Sequence, residues 1–343
     1  MTTSAYSQAG VDQDLASSSV AALVGALSLR DDAFESRQVL PSGHFANVIR
    51  IDEQLGIAIS ADGVGTKLRI AEELGHFRTI GIDCVAMNVN DVICVGAQPL
   101  AMLDYLAVET ADPERERQIG EGLRKGAELA GIEIPGGELA QLGKEMVRGF
   151  DLAGACFGVV KLDSIVAGDK IAPGDSVIGL PSAGLHANGY TLARKALAGL
   201  DLRSDLEGRL EKSLGEVLIE PTKIYVKPIL QLLHSDVDVR GLAHITSEGF
   251  DNLLRLDLLR SDSLEIGYKI DNPIDVPLIF ELIQERGNVS EAEMREVFNM
   301  GCGFCCVVAA EDEAAALEIL RGDHPGAKRI GHAFEGRREV QLV

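Results

Sequence analysis

A short apolar run, Gly56-Ile-Ala-Ile-Ser60, leads directly into Ser60-Ala-Asp-Gly-Val-Gly-Thr-Lys-Leu68. The run is short and rich in isoleucine, so it reads as a buried strand. It ends on a polar, glycine-rich turn whose composition suits a polyphosphate. Gly63 and Gly65 let the backbone approach oxygens closely. Lys67 can neutralise a phosphate, Thr66 adds a hydroxyl, and Asp62 can hold a hard cation such as Mg²⁺. The spacing is not that of a Walker A loop, which needs four residues between its first glycine and Gly-Lys-Ser/Thr. A plain tight turn after a strand is the competing reading.

The chain has 343 residues, enough for two domains or one large one. Hydrophobic residues make up 46% and charged residues 25%, ordinary for a globular protein with a real core. The longest apolar runs are too short to span a bilayer. The start, Met1-Thr-Thr-Ser-Ala-Tyr-Ser, lacks a basic segment followed by an apolar one, so a secretory signal is not expected and the cytoplasm is. With 32 basic and 53 acidic residues the net charge is −21, and no Lys/Arg-dense stripe appears. That excludes nucleic acid as the expected partner. Nucleotides remain open, because a cation can bridge carboxylates to phosphates. Six cysteines form no pair of Cys-x-x-Cys knuckles. Cys302, Cys305 and Cys306 lie in an apolar, strand-like run and read as small buried hydrophobes.

Strands and helices alternate along the chain. Ser18 to Leu27 reads as a helix and Glu53 to Ser60 as a strand. In Thr79 to Gly96, apolar residues at 82, 85, 86, 89, 92 and 93 fit a helix that carries Asp83, Met87, Asn90 and Asp91 near one side. Leu100 to Val108 reads as a strand. Asp112-Pro113 opens an amphipathic helix that runs to Ala130. A short strand, Ile132 to Ile134, runs into Pro135-Gly-Gly-Glu138, and Asp151 to Val160 is a further strand. A turn-rich seam near 160 to 176 separates a second unit, which has a strand from Val177 to Leu180, helices from Thr191 and from Pro221 to His234, and a last strand near Val340.

Four polar clusters carry candidate chemistry: Asp62 to Lys67; Asp83 with Asn88, Asn90 and Asp91; Gly136-Gly137-Glu138; and Ser182 to Gly189, with His186 and Asn188. Carboxylates, amides and glycines in loops that follow strands are what a Mg²⁺–nucleotide site needs. Each has a plainer reading: Asp91 as an ion-pair partner, Gly136-Gly137 and Asn188-Gly189 as turns, His186 as a structural donor rather than a general acid or base.

Taken in order, these blocks resemble the aminoimidazole ribonucleotide synthetase family, the phosphoribosylformylglycinamidine cyclo-ligases. The resemblance is carried by Tyr6-Ser-Gln-Ala-Gly-Val-Asp12, Asp62-Gly-Val-Gly-Thr-Lys67, Thr79 to Asp91, Gly96-Ala-Gln-Pro-Leu100 and Leu103-Asp-Tyr105. His186-Ala-Asn-Gly-Tyr190, Pro221-Thr-Lys-Ile-Tyr-Val-Lys227, Gly287-Asn-Val289 and Phe298-Asn-Met-Gly-Cys-Gly303 continue it, so it spans nearly the whole chain. It implies an α/β (α+β) fold of two domains, 1–165 and 166–343, the first forming a β-barrel across a homodimer with ATP near that interface. It implies an ATP-dependent, Mg²⁺-assisted ring closure on a small nucleotide substrate, with neither a nucleic-acid nor a membrane partner. By motif match, Lys67, His186 and Asn188 take catalytic roles. Asp62, Gly63, Gly65, Thr66, Lys67, Asp83, Asn90, Asp91, Gly136, Gly137 and Glu138 would bind the nucleotide, with Asp62, Asp91 and Glu138 on the metal.

Three segments depart from the family pattern. Pro41-Ser-Gly-His-Phe-Ala-Asn47 stands where Gly-Gly-Phe-Gly is usual. Gly136-Gly-Glu-Leu-Ala-Gln-Leu-Gly143 replaces Gly-Gly-Glu-Thr-Ala-Glu-Met-Pro. Thr246-Ser-Glu-Gly-Phe-Asp-Asn-Leu-Leu-Arg255 replaces Thr-Gly-Gly-Gly followed by Asn-Ile-Pro-Arg. Leu139, Gln141 and Glu248 therefore keep two alternatives in view: a related enzyme that phosphorylates a different acceptor, and a non-catalytic nucleotide-binding homodimer.

Overall fold

The computed structural model describes residues 5–10, 13–27, 36–257 and 264–343. Val11 and Asp12 of the opening block lie outside the described residues. Helices α1 (Ala5–Gln8) and α2 (Gln13–Leu27) precede a first sheet of β1 (Asn47–Arg50), β2 (Leu55–Gly63), β3 (Gln98–Val108), β4 (Glu133–Gln141) and β5 (Phe150–Lys161), in spatial order β1-β2-β5-β3-β4. Helices α3 (Leu68–Leu74) and α4 (Arg78–Ile93) connect β2 to β3, and α5 (Pro113–Ala130) connects β3 to β4. That crossover makes β3 and β4 parallel, while the other pairs are antiparallel.

Period-two burial sets the two faces of this sheet. Along β5, Phe150, Leu152, Gly154, Cys156, Gly158 and Val160 are buried while the residues between them are partly or fully exposed. The buried face packs on α4. The opposite face is also apolar, carrying Ile49, Ile57, Ile59, Phe157, Val159, Leu103 and Tyr105. Cross-strand pairs Ile49–Ile57, Ile57–Val159 and Ile59–Phe157 line it up. Leu103 and Tyr105 remain 44% and 45% exposed. Within one chain this sheet is open, with β1 and β4 as its edges.

Helix α5 starts where Asp112 accepts hydrogen bonds from the Glu114 and Arg115 N–H groups, has Pro113 in its first turn, and stops at left-handed Gly131. It meets α4 backbone to backbone, since a Cβ on Gly122 would overlap the Arg78 carbonyl and one on Gly126 would strike Val85. As a result α4 is enclosed on all sides, with nearly every residue from Ile80 to Ile93 buried.

The second sheet comprises β6 (Ser176–Pro181), β7 (Val239–His244), β8 (Ile266–Ile270), β9 (Cys302–Val308), β10 (Lys328–Glu335) and β11 (Val340–Leu342), in order β11-β8-β10-β6-β9-β7. Helices α6 (Tyr190–Ala196), α7 (Leu214–Ile219), α8 (Val226–Leu233), α9 (Leu278–Gly287), α10 (Glu291–Val297) and α11 (Glu313–Asp323) accompany it. β9 is wholly buried, and Cys302, Cys305 and Cys306 on it are free thiols in the apolar core. A single apolar cluster runs from Ala58 on the first sheet, through Val85, Val89 and Val92 of α4, to Val177, Leu242 and Cys306 on the second.

Two segments differ from the sequence expectation. Pro135-Gly-Gly-Glu138 is not a turn but the middle of edge strand β4. An edge tolerates proline, and the missing Cβ of Gly137 makes room for the Asp104 side chain. Pro221 to Tyr225 is not helical either. Its backbone is held by side chains of α4, and α8 begins only at Val226.

Candidate functional site

The polar residues of α4 divide over two sides of the helix. Asp83, Met87 and Asn90 recur at helical spacing and face the second unit. Asp83 accepts from the Lys67 ammonium (2.9 Å), the Thr222 N–H (2.7 Å) and the Thr222 hydroxyl (2.6 Å). Asn90 accepts from the Tyr225 N–H (3.0 Å) and donates to the Lys223 carbonyl (2.8 Å). Met87 Sδ lies 4.0 Å from Asn188 Nδ2. These contacts fasten α4 to the 221–225 segment and to the His186–Asn188 loop.

Lys67 is the centre of that fastening. Both it and Asp83 are fully buried. Its ammonium donates to Asp83, to the His186 carbonyl (3.0 Å) and to the Glu220 carbonyl (2.6 Å), and it lies 5.7 Å from the Tyr190 ring centre. Desolvation pulls the Lys67 pKa down and the Asp83 pKa up, and their attraction opposes both shifts. Three acceptors match the three donor hydrogens, so the pair persists as ammonium and carboxylate. In this arrangement Lys67 faces Asp83, and its charge is already neutralised there.

The other side of α4 faces β2 and holds Asn88 and Asp91. Asn88 brackets the β2 backbone, accepting from the Asp62 N–H (3.0 Å) and donating to the Asp62 carbonyl (3.1 Å). Asp91 accepts from the Ser60 hydroxyl (3.3 Å) and contacts His244 Nδ1 at 2.9 Å. His244 ends β7 and is fully buried. Its Nε2 faces the Asn90 amide NH₂ (3.4 Å), which assigns the ring proton to Nδ1 and makes His244 a donor to Asp91.

Burial, then the charge of Asp91, push the Asp62 carboxyl up to about 6. The Gly63 N–H (2.7 Å) and the charge of Arg255 oppose that rise. Two crowded carboxylates and a hydroxyl are hard oxygen donors short of positive charge, so they fit Mg²⁺, which commonly takes one or two carboxylates and keeps water. Among the described residues no group of three or more His, Cys, Asp or Glu gathers as a metal cage.

The remaining predicted residues are spread around this pair. Gly63 closes β2, and Gly65 (φ +68°) turns the chain into the 3₁₀ turn Gly65–Lys67. The Thr66 hydroxyl meets that of Thr191 at 3.0 Å. Asn188 accepts from the Ser247 hydroxyl (3.3 Å). His186 is buried in a left-handed conformation (φ +62°). Its Nε2 accepts from the Ala183 N–H (3.1 Å), and desolvation holds its pKa far below the ordinary value. The structure does not bring Glu138 to the carboxylate pair. Cross-strand register sets Asp62, Gly154, Asp104 and Gly137 in one row on the α4 face, so Glu138, one residue further, belongs to the opposite face with Tyr105.

Ser60 and His244, which contact Asp91, and Arg255, whose charge acts on Asp62, are neighbours of the carboxylates that motif reading did not assign to them. His244 stood just before the flagged Thr246–Arg255 segment, and position was its only signal. The altered residue Glu248 adopts φ +75°, a conformation that glycine takes freely, and points its carboxylate at Arg255 (3.2 Å). The backbone conformation that glycine favours is therefore kept while the side chain becomes a counter-ion.

Two α/β units joined through a buried helix, with a carboxylate pair at their seam, define the class of molecule. Residues 43–160 match the AIR synthase related protein N-terminal domain, and residues 172–343 match the C-terminal domain. The chain belongs to the AIR synthase related family. It is 46% identical to the phosphoribosylformylglycinamidine cyclo-ligase of Methanothermobacter thermautotrophicus, over 98% of this chain and 96% of that protein. The protein of the same name from Pyrococcus furiosus is 45% identical over 92% and 91%. Among solved structures, the HypE–HypF complex contains a chain of the same fold (TM-score 0.65, 17% identity, covering 94% of this chain and 96% of that one). HypE in complex with ATP is also similar (TM-score 0.58, 19% identity, 83% and 79%).

Lys67→Met strands a buried carboxylate and is expected to destabilise the protein by about 3–5 kcal/mol. Adding Asp83→Asn should restore at least half of that. Urea unfolding measures both, and a single variant within about 1 kcal/mol of wild type would contradict the fastening role. The raised Asp62 pKa predicts a pH effect in chelated buffer. The native state holds more protons at this carboxyl between about pH 4 and 6, so its contribution to stability is present at low pH and lost as pH rises through about 6. Asp62→Asn should therefore raise stability at pH 8 by on the order of 2 kcal/mol and change it little at pH 4. Thermal melts at the two pH values test this, and a variant less stable than wild type at pH 8 would refute it.

Proposed function

We propose that the chain is an ATP-dependent cyclo-ligase that converts formylglycinamidine ribonucleotide to aminoimidazole ribonucleotide, with release of ADP and phosphate. The observation that carries this reading is 46% identity to a named cyclo-ligase over 98% of the chain. Relatives 40–46% identical share the name, and they do not favour a different acceptor or a non-catalytic homodimer. The fold is one that holds ATP in HypE, which supports nucleotide binding.

The chemistry follows from a poor leaving group. An amide oxygen does not depart on its own. Transfer of the ATP γ-phosphoryl to that oxygen makes it part of a phosphate leaving group. The internal amidine nitrogen then attacks the same carbon, the C–O bond breaks, phosphate leaves and the five-membered ring closes. Holding the open chain folded supplies much of the rate, because closure is intramolecular. In this reading Asp62 and Asp91 would hold Mg²⁺, which would supply positive charge to the transferring phosphoryl group. His244 and Ser60 orient Asp91, and Asn88 fixes the strand that presents Asp62. Asn188 and Ser247 face the nucleotide from the second domain. Lys67, Asp83 and Asn90 act through position, holding the His186 loop and the 221–225 segment against α4.

The boundary between a first domain, 1–165, and a second, 166–343, belongs to the same reading. So does a homodimer built on the open apolar face of the first sheet, whose barrel closes only across two copies. Large exposed apolar surface of this kind marks an interface. Gly136, Gly137 and Glu138 lie on edge strand β4, and in a shared site they would meet ATP at the rim of that interface. No helix among the described residues is long and apolar enough to cross a membrane, and we assign the protein to the cytoplasm.

Purified protein given Mg²⁺, ATP and formylglycinamidine ribonucleotide should form aminoimidazole ribonucleotide and ADP in equal amounts, and Asp91→Ala should abolish this without unfolding the protein. ATP binding without any product would sink the reading. Light scattering should give twice the 36.6 kDa chain mass, falling to the single-chain mass in Leu103→Glu. A wild-type monomer would remove the shared-barrel proposal.

A further inference from the structure

The loop from Pro41 to Asn47 enters β1 and carries His44. Gly43 (φ +115°) turns the chain so that His44, Phe45 and Ala46 are all buried. The His44 ring meets the Phe45 ring edge-on at 5.7 Å. The Arg255 guanidinium lies 5.2 Å from the Phe45 ring centre. Arg255 belongs to the second unit, in the 3₁₀ turn Gly249–Asp257, and its charge acts on both His44 and Asp62. This loop and that turn therefore clasp beside the carboxylate pair.

His44 is 7% exposed, yet among the described residues neither of its ring nitrogens has a hydrogen-bond partner. Burial, assisted by Arg255, lowers its pKa to about 4, so the ring is neutral. A neutral imidazole presents one N–H donor and one lone-pair acceptor. Buried polar groups in native proteins are nearly always paired, so a ring with both nitrogens buried and unpartnered calls for a group that completes them. The adenine, ribose and phosphates of ATP are common to every enzyme that uses it. The open-chain part of the second substrate is particular to this one, and it offers the matching pair: a formamide oxygen that accepts and amidine N–H groups that donate.

We propose that His44 binds the open-chain formamide–amidine portion of the nucleotide substrate through its ring nitrogens, and so helps hold that chain folded for closure. The proposal rests on the cyclo-ligase reading. His44 takes no proton in the step; it positions atoms that react elsewhere.

The test compares wild type, His44→Phe and His44→Gln. Calorimetric titration of formylglycinamidine ribonucleotide without ATP gives substrate affinity, steady-state kinetics give both KM values, and thermal melts give apo stability. His44→Phe should weaken nucleotide binding by about tenfold or more, the size expected for lost hydrogen bonds to a neutral partner. KM for ATP should stay within about twofold, and the apo Tm should not fall, because an orphaned polar ring has been replaced by an apolar one. His44→Gln, which keeps one donor and one acceptor, should recover most of the affinity. Nucleotide affinity within about twofold of wild type in His44→Phe overturns the proposal. So does an equal rise in both KM values with a lower Tm, which marks a purely structural residue. A wild-type protein that neither binds nor converts the nucleotide removes the cyclo-ligase reading itself, and this proposal with it.

Discussion

A lysine and an aspartate, both fully buried, meet at the centre of this molecule. Removing two charges from water is expensive, and their attraction offsets that loss only when the remaining hydrogen-bonding capacity is filled. Here the ammonium and one carboxylate oxygen are served by groups distant in sequence: Thr222, the His186 carbonyl and the Glu220 carbonyl. The pair is therefore satisfied only when the first unit, the 186 loop and the 220–222 segment are all in place. An ion pair of this kind adds little net stability over an apolar core, but it strongly disfavours wrong relative placements. The seam where Asp62, Asp91, His244 and Arg255 converge depends on that registration.

Helix α4 turns the constraint into a site. Because it is enclosed by the sheet, α5 and the second unit, each polar residue on it needs a partner. Those facing the second unit hold it, and those facing β2 hold the strand that carries Asp62. One helix thus positions both the strand that carries Asp62 and the second unit. Asp62 is the poorly served member of the carboxylate pair: it has a single backbone donor, and its ionisation is opposed by burial and by Asp91. Such unrelieved negative potential is what a divalent cation relieves.

Much of the fold was legible because its signals are local. Asp112-Pro113 and Gly131 bound α5 by capping chemistry, and the period-two pattern of β5 needs no tertiary information. Where long-range contacts outweigh local preference, sequence reading failed. Pro135-Gly-Gly reads as a turn, yet β3 pairs with it along its length. Pro221 to Tyr225 reads as helix, yet Asp83 and Asn90 take the N–H groups of Thr222 and Tyr225. The candidate site was partly legible. Asp62 and Asp91 stood in recognisable blocks. Lys67 was found but read as facing phosphate, because its partner Asp83 sits across a fold that no local pattern reveals. His244 lies 153 residues from Asp91, and His44 stood in a segment marked only by its departure from the family pattern.

The central chemical claim is that the amide oxygen leaves as part of phosphate. The most direct measurement is to prepare formylglycinamidine ribonucleotide with ¹⁸O in its formamide group, run the reaction in ordinary water, and analyse the phosphate by mass spectrometry. The account predicts one ¹⁸O in each phosphate released. Label lost to water, with unlabelled phosphate, would mean that ATP is hydrolysed separately from ring closure and would contradict the account.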